Sequence, residues 1–238
     1  DTATTETYTL SLPDALPICE DTLRRLWIAT DAGIDRYDSS TGGFIGHTSR
    51  SSGLIDDYIT AMIPSKDGNF WVASFRGLQK FDPVSGRAIE YVPGAPGNMY
   101  TLAEDAEGNL WVGSYLDGVF RMDAKTRRFT RYRKGAKSGS GLSSNIVTYL
   151  FFPRGAPEEL WIATFDGGLN ILDTRTGDVV AYRDDPDNQA PYAISGSALS
   201  HIIQDRMGAI LVLNEHGFLN RVDPAIRRFT TLSCTLSG

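Results

Sequence analysis

Apolar residues along this chain fall in short runs broken by Gly, Asn, Asp and Pro, and no run keeps the spacing of an amphipathic helix. The clearest stretch lies between residues 99 and 132. Met99-Tyr100-Thr101-Leu102-Ala103 leads to a turn at Asp105-Ala106-Glu107-Gly108-Asn109, and Leu110 to Ser114 form a second apolar run. A Gly turn at Asp117-Gly118 precedes Val119-Phe120-Arg121-Met122-Asp123, and a polar turn through Lys125-Thr126 precedes Phe129-Thr130-Arg131-Tyr132. Four such runs predict a four-stranded antiparallel meander. In the second run Trp111 sits between Leu110 and Val112, so both faces are apolar, as suits a strand packed between stacked sheets.

The same second run recurs as Leu26-Trp27-Ile28-Ala29-Thr30, Phe70-Trp71-Val72-Ala73-Ser74 and Leu160-Trp161-Ile162-Ala163-Thr164, which account for every tryptophan in the chain. A degenerate copy follows at Ile210-Leu211-Val212-Leu213-Asn214. The anchors Trp27, Trp71, Trp111, Trp161 and Leu211 are separated by 44, 40, 50 and 50 residues, a period in the range of propeller blades. The chain is therefore expected to be all-β, a β-propeller of about five four-stranded antiparallel blades. Two residues after each Trp stands a small residue, Ala29, Ala73, Gly113 or Ala163, which predicts interdigitation with the next blade. Leu211 and Leu213 hold those two positions in the fifth copy, roughly conserving volume.

Gly33, Gly77, Gly118, Gly168 and Gly217 follow the second runs, where a hairpin calls for positive φ. Asp38, Asp82, Asp123, Asp173 and Asp223 then close the third. Five carboxylates in register invite a metal or acid-base reading, but a cap on the following turn explains them more simply. The Asp105-Asn109 turn lacks the dense oxygen spacing of a calcium loop.

Composition narrows the function classes. The chain has 238 residues, 41% hydrophobic and 22% charged, which suits a globular protein with a sizeable core. A formal net charge of −6 argues against a nucleic-acid partner, and no apolar run approaches a membrane span, so no membrane contact by this chain is expected. Cys19 and Cys234 suggest neither a zinc site nor a disulfide scaffold, and no metal or cofactor is called for.

The phrases LWIATDAGIDRYD, LWVGSYLDGVFRMD and GLSSNIV…LWIATFDGGLNILDTRTGDVVAY resemble the two-component regulator propeller repeat, over residues 19 to 232 in five copies. The resemblance implies a periplasmic sensor region of a membrane-bound signalling protein. In that family the propeller is usually seven-bladed and is followed by an output domain, commonly a histidine kinase and sometimes a diguanylate cyclase; the full-length protein is a candidate homodimer. Five repeats leave such a ring short by two blades, roughly 90 residues, so the expectation is a partial propeller over 19–238. Residues 8–18, YTLSLPDALPI, resemble one translated frame of a sequencing adapter, and 1–18 are expected to be non-native. The register of Glu20-Asp21 before Trp27, matching Glu104-Asp105 before Trp111, places the resumption of the repeat near Cys19.

The family topology would gather the loops between second and third strands, with the loops joining blades, at one face around the central axis. Four residues after the anchor stand Phe75, Tyr115 and Phe165, with Asp31 and Glu215 in the outer copies. Aromatics among polar neighbours such as Arg76, Asp117, Asp166 and His216 would suit a sugar, whose apolar face stacks while its hydroxyls hydrogen-bond. The plainer alternative is that the rings shield strand ends. The basic stretch Lys125 to Lys137 reads as an outer edge strand, and the loop Asp184 to Ser197 is long enough to bind but does not demand it. His47, His201 and His216 make no motif, and Glu215-His216 is the sole adjacent acid-base pair. The functional expectation is a non-catalytic sensor for a small molecule or oligosaccharide, signalling to an output domain in the same full-length chain. A propeller lyase resembling streptogramin lyase and a purely structural or protein-binding propeller are the alternatives.

Overall fold

The computed structural model describes residues 17–135, 141–184, 194–223 and 228–233. Most of the adapter-like segment, Lys137 of the basic stretch, Cys234 and the central part of the Asp184 to Ser197 loop lie outside the described residues. Five four-stranded antiparallel sheets follow one another, each with its strands in sequence order. The first blade is β1 (Ile18–Glu20), β2 (Leu26–Thr30), β3 (Gly33–Asp38) and β4 (Gly43–His47), followed by a one-turn helix α1 (Ser49–Ser52). The second is β5 (Ile59–Pro64), β6 (Phe70–Ser74), β7 (Gly77–Asp82) and β8 (Arg87–Val92). The third is β9 (Met99–Glu104), β10 (Leu110–Ser114), β11 (Gly118–Met122) and β12 (Phe129–Tyr132). The fourth is β13 (Val147–Phe151), β14 (Glu159–Thr164), β15 (Gly168–Asp173) and β16 (Val179–Tyr182), and the fifth is β17 (Leu199–Gln204), β18 (Ile210–Asn214), β19 (Phe218–Asp223) and β20 (Arg228–Ser233). Ile18 pairs with Ile28 and the Pro17 carbonyl accepts from Ala29 N, so β1 begins one residue before Cys19.

The core lies between blades. Trp27 packs edge-on against Phe70 and Phe81 of the second blade, at 5.8 and 5.5 Å between centroids. Trp71 joins a cluster with Met99, Leu102 and Leu110 of the third, Trp111 one with Val147 and Leu150 of the fourth, and Trp161 one with Leu199 and Ile202 of the fifth. Each indole thus closes the seam to the blade after it. The small neighbour serves the same seam. A Cβ on Gly113 would stand 2.6 Å from a methyl of Val147 across the interface and 2.4 Å from Thr101. Burial on both faces then comes from having two neighbours: β6, β10 and β14 are almost wholly buried, whereas β2 and β18, in the terminal blades, alternate. Phe70 is 1% exposed, but Leu26 at the same place in the first blade is 45% exposed. Leu211 and Leu213 are likewise only half-buried. Their bulk does not fill an interface here, because among the described residues no core cluster joins the fifth blade to the first.

Two polar devices hold the indoles. Asp21 accepts from Trp27 Nε1 at 2.9 Å and from Leu23 N and Arg25 N, while Asp105 accepts from Trp111 Nε1 at 2.8 Å and from Glu107 N and Asn109 N. Burial alone would raise the Asp21 carboxyl, but these donors outweigh it and hold it below its ordinary value. The second blade has Ser65 at that place, and Trp71 Nε1 is buried without a partner. There the ring carries cations instead: Lys80, cross-strand from it, lies 4.5 Å from the ring centre and Arg127 of the third blade 5.3 Å. Lys80 also pairs with Asp67, whose carboxyl sits at about 2 because the lysine and Asn69 overcome its desolvation.

Glycine is required where the hairpin after the second strand passes the outer strand. At Gly118 and Gly168, with φ of +80° and +74°, a Cβ would lie 2.3 Å from the carbonyl oxygen of Tyr132 or Tyr182. The aspartates closing the third strands cap their turns. Asp38 accepts from Ser40 and Thr41, Asp82 from Val84 N and Ser85, Asp123 from Lys125 N and Thr126, and Asp173 from Arg175 N and Thr176 N. The turn after Asp223 lies outside the described residues.

His47, at the end of β4, bridges the first two blades. Its Nδ1 lies 3.0 Å from Ser52 Oγ and 3.1 Å from the Gly86 carbonyl, its ring stacks 5.1 Å from Trp27, and Nε2 is buried without a partner. Desolvation pushes its pKa below the ordinary 6.5, with Arg36 lowering it further and the Gly86 carbonyl and Asp35 opposing. His201, stacked 5.0 Å from Tyr149, is lowered by desolvation too.

Asp105→Ala strands the Trp111 indole and a turn, and is expected to cost about 2–4 kcal/mol in urea unfolding followed by tryptophan fluorescence, against under about 1 kcal/mol for Ser65→Ala; equal losses would contradict the role given to Asp105. Because both histidines are held neutral in the fold but protonate near 6.5 when unfolded, stability is full above that value and falls as pH drops below it. The carboxylates with lowered values act in a separate window below 3.8, so a His47→Gln, His201→Gln variant should flatten the melting temperature between pH 6.5 and 5. The bare apolar faces of the terminal blades predict self-association, visible as concentration-dependent mass in analytical ultracentrifugation and weakened by Leu26→Lys. A concentration-independent monomer would show that those faces are not adhesive.

Candidate functional site

The loops between second and third strands lie at the same end of the blades as the linkers that deliver each first strand. The last residue of the second strand shapes the loop. Thr30 Oγ1 donates to the Gly33 carbonyl, Ser74 Oγ to that of Gly77 and Thr164 Oγ1 to that of Gly168, while Asn214 Oδ1 accepts from His216 N and Phe218 N. The following residue is then tied to the linker: Tyr115 N donates to Asn98 O, Phe165 N to Ile146 O and Glu215 N to Ala198 O, at 2.9–3.0 Å. In three successive blades the candidate residue is therefore fixed by its own amide to the residue immediately before its blade's innermost strand.

Phe75, Tyr115 and Phe165 are 58%, 47% and 40% exposed. Two of them are paired with aromatics that the repeat spacing does not reveal. Tyr58, in the linker before β5, stands 5.1 Å from Phe75 with 34° between planes, and Tyr100 stands 6.2 Å from Tyr115 at 46°. Tyr100 occupies a bulge: β5, β9, β13 and β17 each carry one extra residue at the same place, namely Thr60, Tyr100, Thr148 and Ser200. A bulge re-aims the inserted side chain out of the ladder. Thr148 Oγ1 uses this to donate to Leu199 O in the next blade at 2.6 Å, whereas the buried Thr60 hydroxyl has no partner.

The polar candidates divide. Asp31, Arg76, Asp166, Glu215 and His216 are exposed on these loops. Asp117 is committed: Arg131 meets its carboxylate at 2.5 Å and donates through Nε to its backbone carbonyl. In the basic stretch Arg127 is likewise paired, to Glu90, and β12 lies at the outer edge of its sheet. Glu215 and His216 are held through their main-chain amides, by Ala198 O and Asn214 Oδ1. Behind the loops, Asn170 accepts from Ser143 N and Asn220 from Ser195 N, and Gln79 accepts from Ile55 N, so a buried amide on the third strand clamps the incoming linker. Cys19 donates to Met62 O and burial pushes its thiol up to about 12, leaving it unreactive. Among the described residues no three His, Cys, Asp or Glu side chains converge as a metal site, and no helix is long and apolar enough to cross a membrane.

Comparison with known proteins agrees with this architecture. The two component regulator propeller model matches residues 53–76 and 93–116, each segment running from a linker through the first two strands to the exposed aromatic loop. No curated protein matches the chain by sequence. Among solved structures, the extracellular domain of a protein described as a hybrid two component system of B. thetaiotaomicron superposes with a TM-score of 0.70 at 22% identity, over 90% of this chain and 29% of that one. A streptogramin B lyase gives 0.69 at 19% identity over 97% and 72%, and virginiamycin B lyase from Staphylococcus aureus 0.68 at 14% over 97% and 74%. At these identities the likeness is one of fold, and the chain spans less than a third of the two component domain. Two of the five repeats of this all-β propeller, in the second and third blades, thus match the two component regulator propeller model.

Proposed function

We propose that this chain is the ligand-sensing propeller of a membrane-bound signalling protein, exposed to the periplasm or the exterior, and that it recognises a glycan at the mouth formed by the second-to-third strand loops. The observation that carries the reading is the pair of aromatic couples on adjacent blades, Tyr58 with Phe75, both exposed, and half-buried Tyr100 with exposed Tyr115. Exposed rings offer flat apolar surface to the C–H face of a sugar, and neighbouring hydroxyls and amides take its polar edge. The repeat family supports a sensor rather than a catalyst. So does the arrangement of the sole adjacent acid-base pair, since Glu215 and His216 are exposed and anchored only through backbone amides.

Occupancy would pass to an output domain of the full-length protein, a kinase or a cyclase, working as a homodimer, through a change in how the propeller sits on its neighbouring domain. A ligand moves such an equilibrium only as far as its affinity differs between the two arrangements. The expected outcome for the full chain on an array of oligosaccharides is binding to at least one glycan. Replacing Phe75, Tyr115 and Phe165 together by alanine should weaken that binding by about tenfold or more in calorimetry, at about 0.5–1.5 kcal/mol for each lost stacking ring. Retained affinity in the triple variant would remove the glycan site from these loops.

A further inference from the structure

We infer that copies of this chain join head to tail, the trailing face of the fifth blade of one seating on the leading face of the first blade of the next. The contact is heterologous, since each copy lends a different face. Its chemistry is that of the seams already formed between blades. A leading face, turned toward the preceding blade, is made by the residues flanking the anchor and their cross-strand partners. In the second blade these are Phe70, Val72, Met62 and Phe81, all buried against the first. Leu26, Ile28, Ile18 and Tyr37 are the same set in the first blade, yet Ile18 is 64% exposed where Met62 is 3%. The fifth blade keeps the complementary set. Leu211, Leu213 and their partners Ile203 and Leu219 stand where Trp71, Ala73, Ile63 and Leu78 close the second seam, and they are half-buried or exposed.

A polar clasp at the turn after the first strand points to the same occupant. At the second seam Lys66, two residues past the end of β5, donates through Nζ to the Ala106 carbonyl of the third blade at 2.6 Å, and its amide donates to Glu104 at 3.2 Å. Arg154 repeats this at the fourth seam, donating to the Asp205 carbonyl and through its amide to the Gln204 side chain. Arg206 holds the place of Lys66 in the fifth blade; it is exposed, and among the described residues it is in no ion pair. Glu20 and Thr22 hold the places of Glu104 and Ala106 in the first blade. Glu20 pairs with Arg24 through Oε1, which leaves Oε2 for an incoming amide. An unrelated partner would have to present an apolar quartet and this clasp in one register. The first blade of a second copy carries both.

Self-association alone does not separate this arrangement from like faces meeting, but mixing does. The test sediments the full chain as wild type, as Leu26→Lys, which spoils the leading face, and as an Ile203→Lys, Leu211→Lys variant, which spoils the trailing one. Circular dichroism checks that the sheets are kept, and serine replaces lysine wherever they are not. At about 50 µM the wild type should form species larger than one copy, while each variant alone stays single. An equimolar mixture of the two variants should give a complex of two copies and nothing larger, because one intact leading face and one intact trailing face remain between them. Arg206→Ala should weaken the wild-type association by about threefold or more. A mixture that stays single, a variant that assembles alone, or a wild type that is monomeric up to about 200 µM would each overturn the head-to-tail pairing. An Arg206→Ala chain that associates as tightly as the wild type would overturn the clasp.

Discussion

The seam between consecutive blades, closed by one buried indole, is the contact on which everything else in this molecule rests. A four-stranded meander is too thin to bury its own two faces, and it becomes stable only by lending each face to a neighbour. The tryptophan is large enough to reach across, and the alanine or glycine two residues on leaves room for the neighbour to reach back. Gly113 against Val147 is the tightest case. The indole N–H donates to a carboxylate in three blades, the aspartate of the first turn at Trp27 and Trp111 and a glutamate at Trp161, whereas at Trp71 the N–H is left without a partner and cations stack on the ring face.

The fold is readable because its determinants are periodic and chemically distinctive. Indoles, turn glycines and closing aspartates recur at fixed offsets, and each answers a local demand that few residue types meet. The candidate site is readable only in part. Phe75, Tyr115 and Phe165 can be aligned because they are counted from the tryptophan. Tyr58 and Tyr100 cannot, because the first strand lacks such a landmark and its bulge holds Thr60, Tyr100, Thr148 and Ser200, which share a hydroxyl but not an aromatic ring. The bulge is a property of register, and register is set by the partner strand. Asp117 passes for an available ligand group in the sequence for a related reason: its partner, Arg131, lies 14 positions along the chain on another strand.

Position and role also separate at Leu211. The spacing identifies it correctly as the fifth anchor, yet the volume argument attached to Leu213 presumes a neighbour on that side. Both side chains stand on the trailing face of the last blade, half-buried, as Leu26 stands open on the leading face of the first.

The hydrogen bonds from Tyr115, Phe165 and Glu215 to the linker carbonyls give the rim a mechanical meaning. Each linker is the strap that carries the chain from one blade into the next. The rim residue and the entry to its blade's innermost strand are therefore joined at one carbonyl, so neither can shift without stretching that bond.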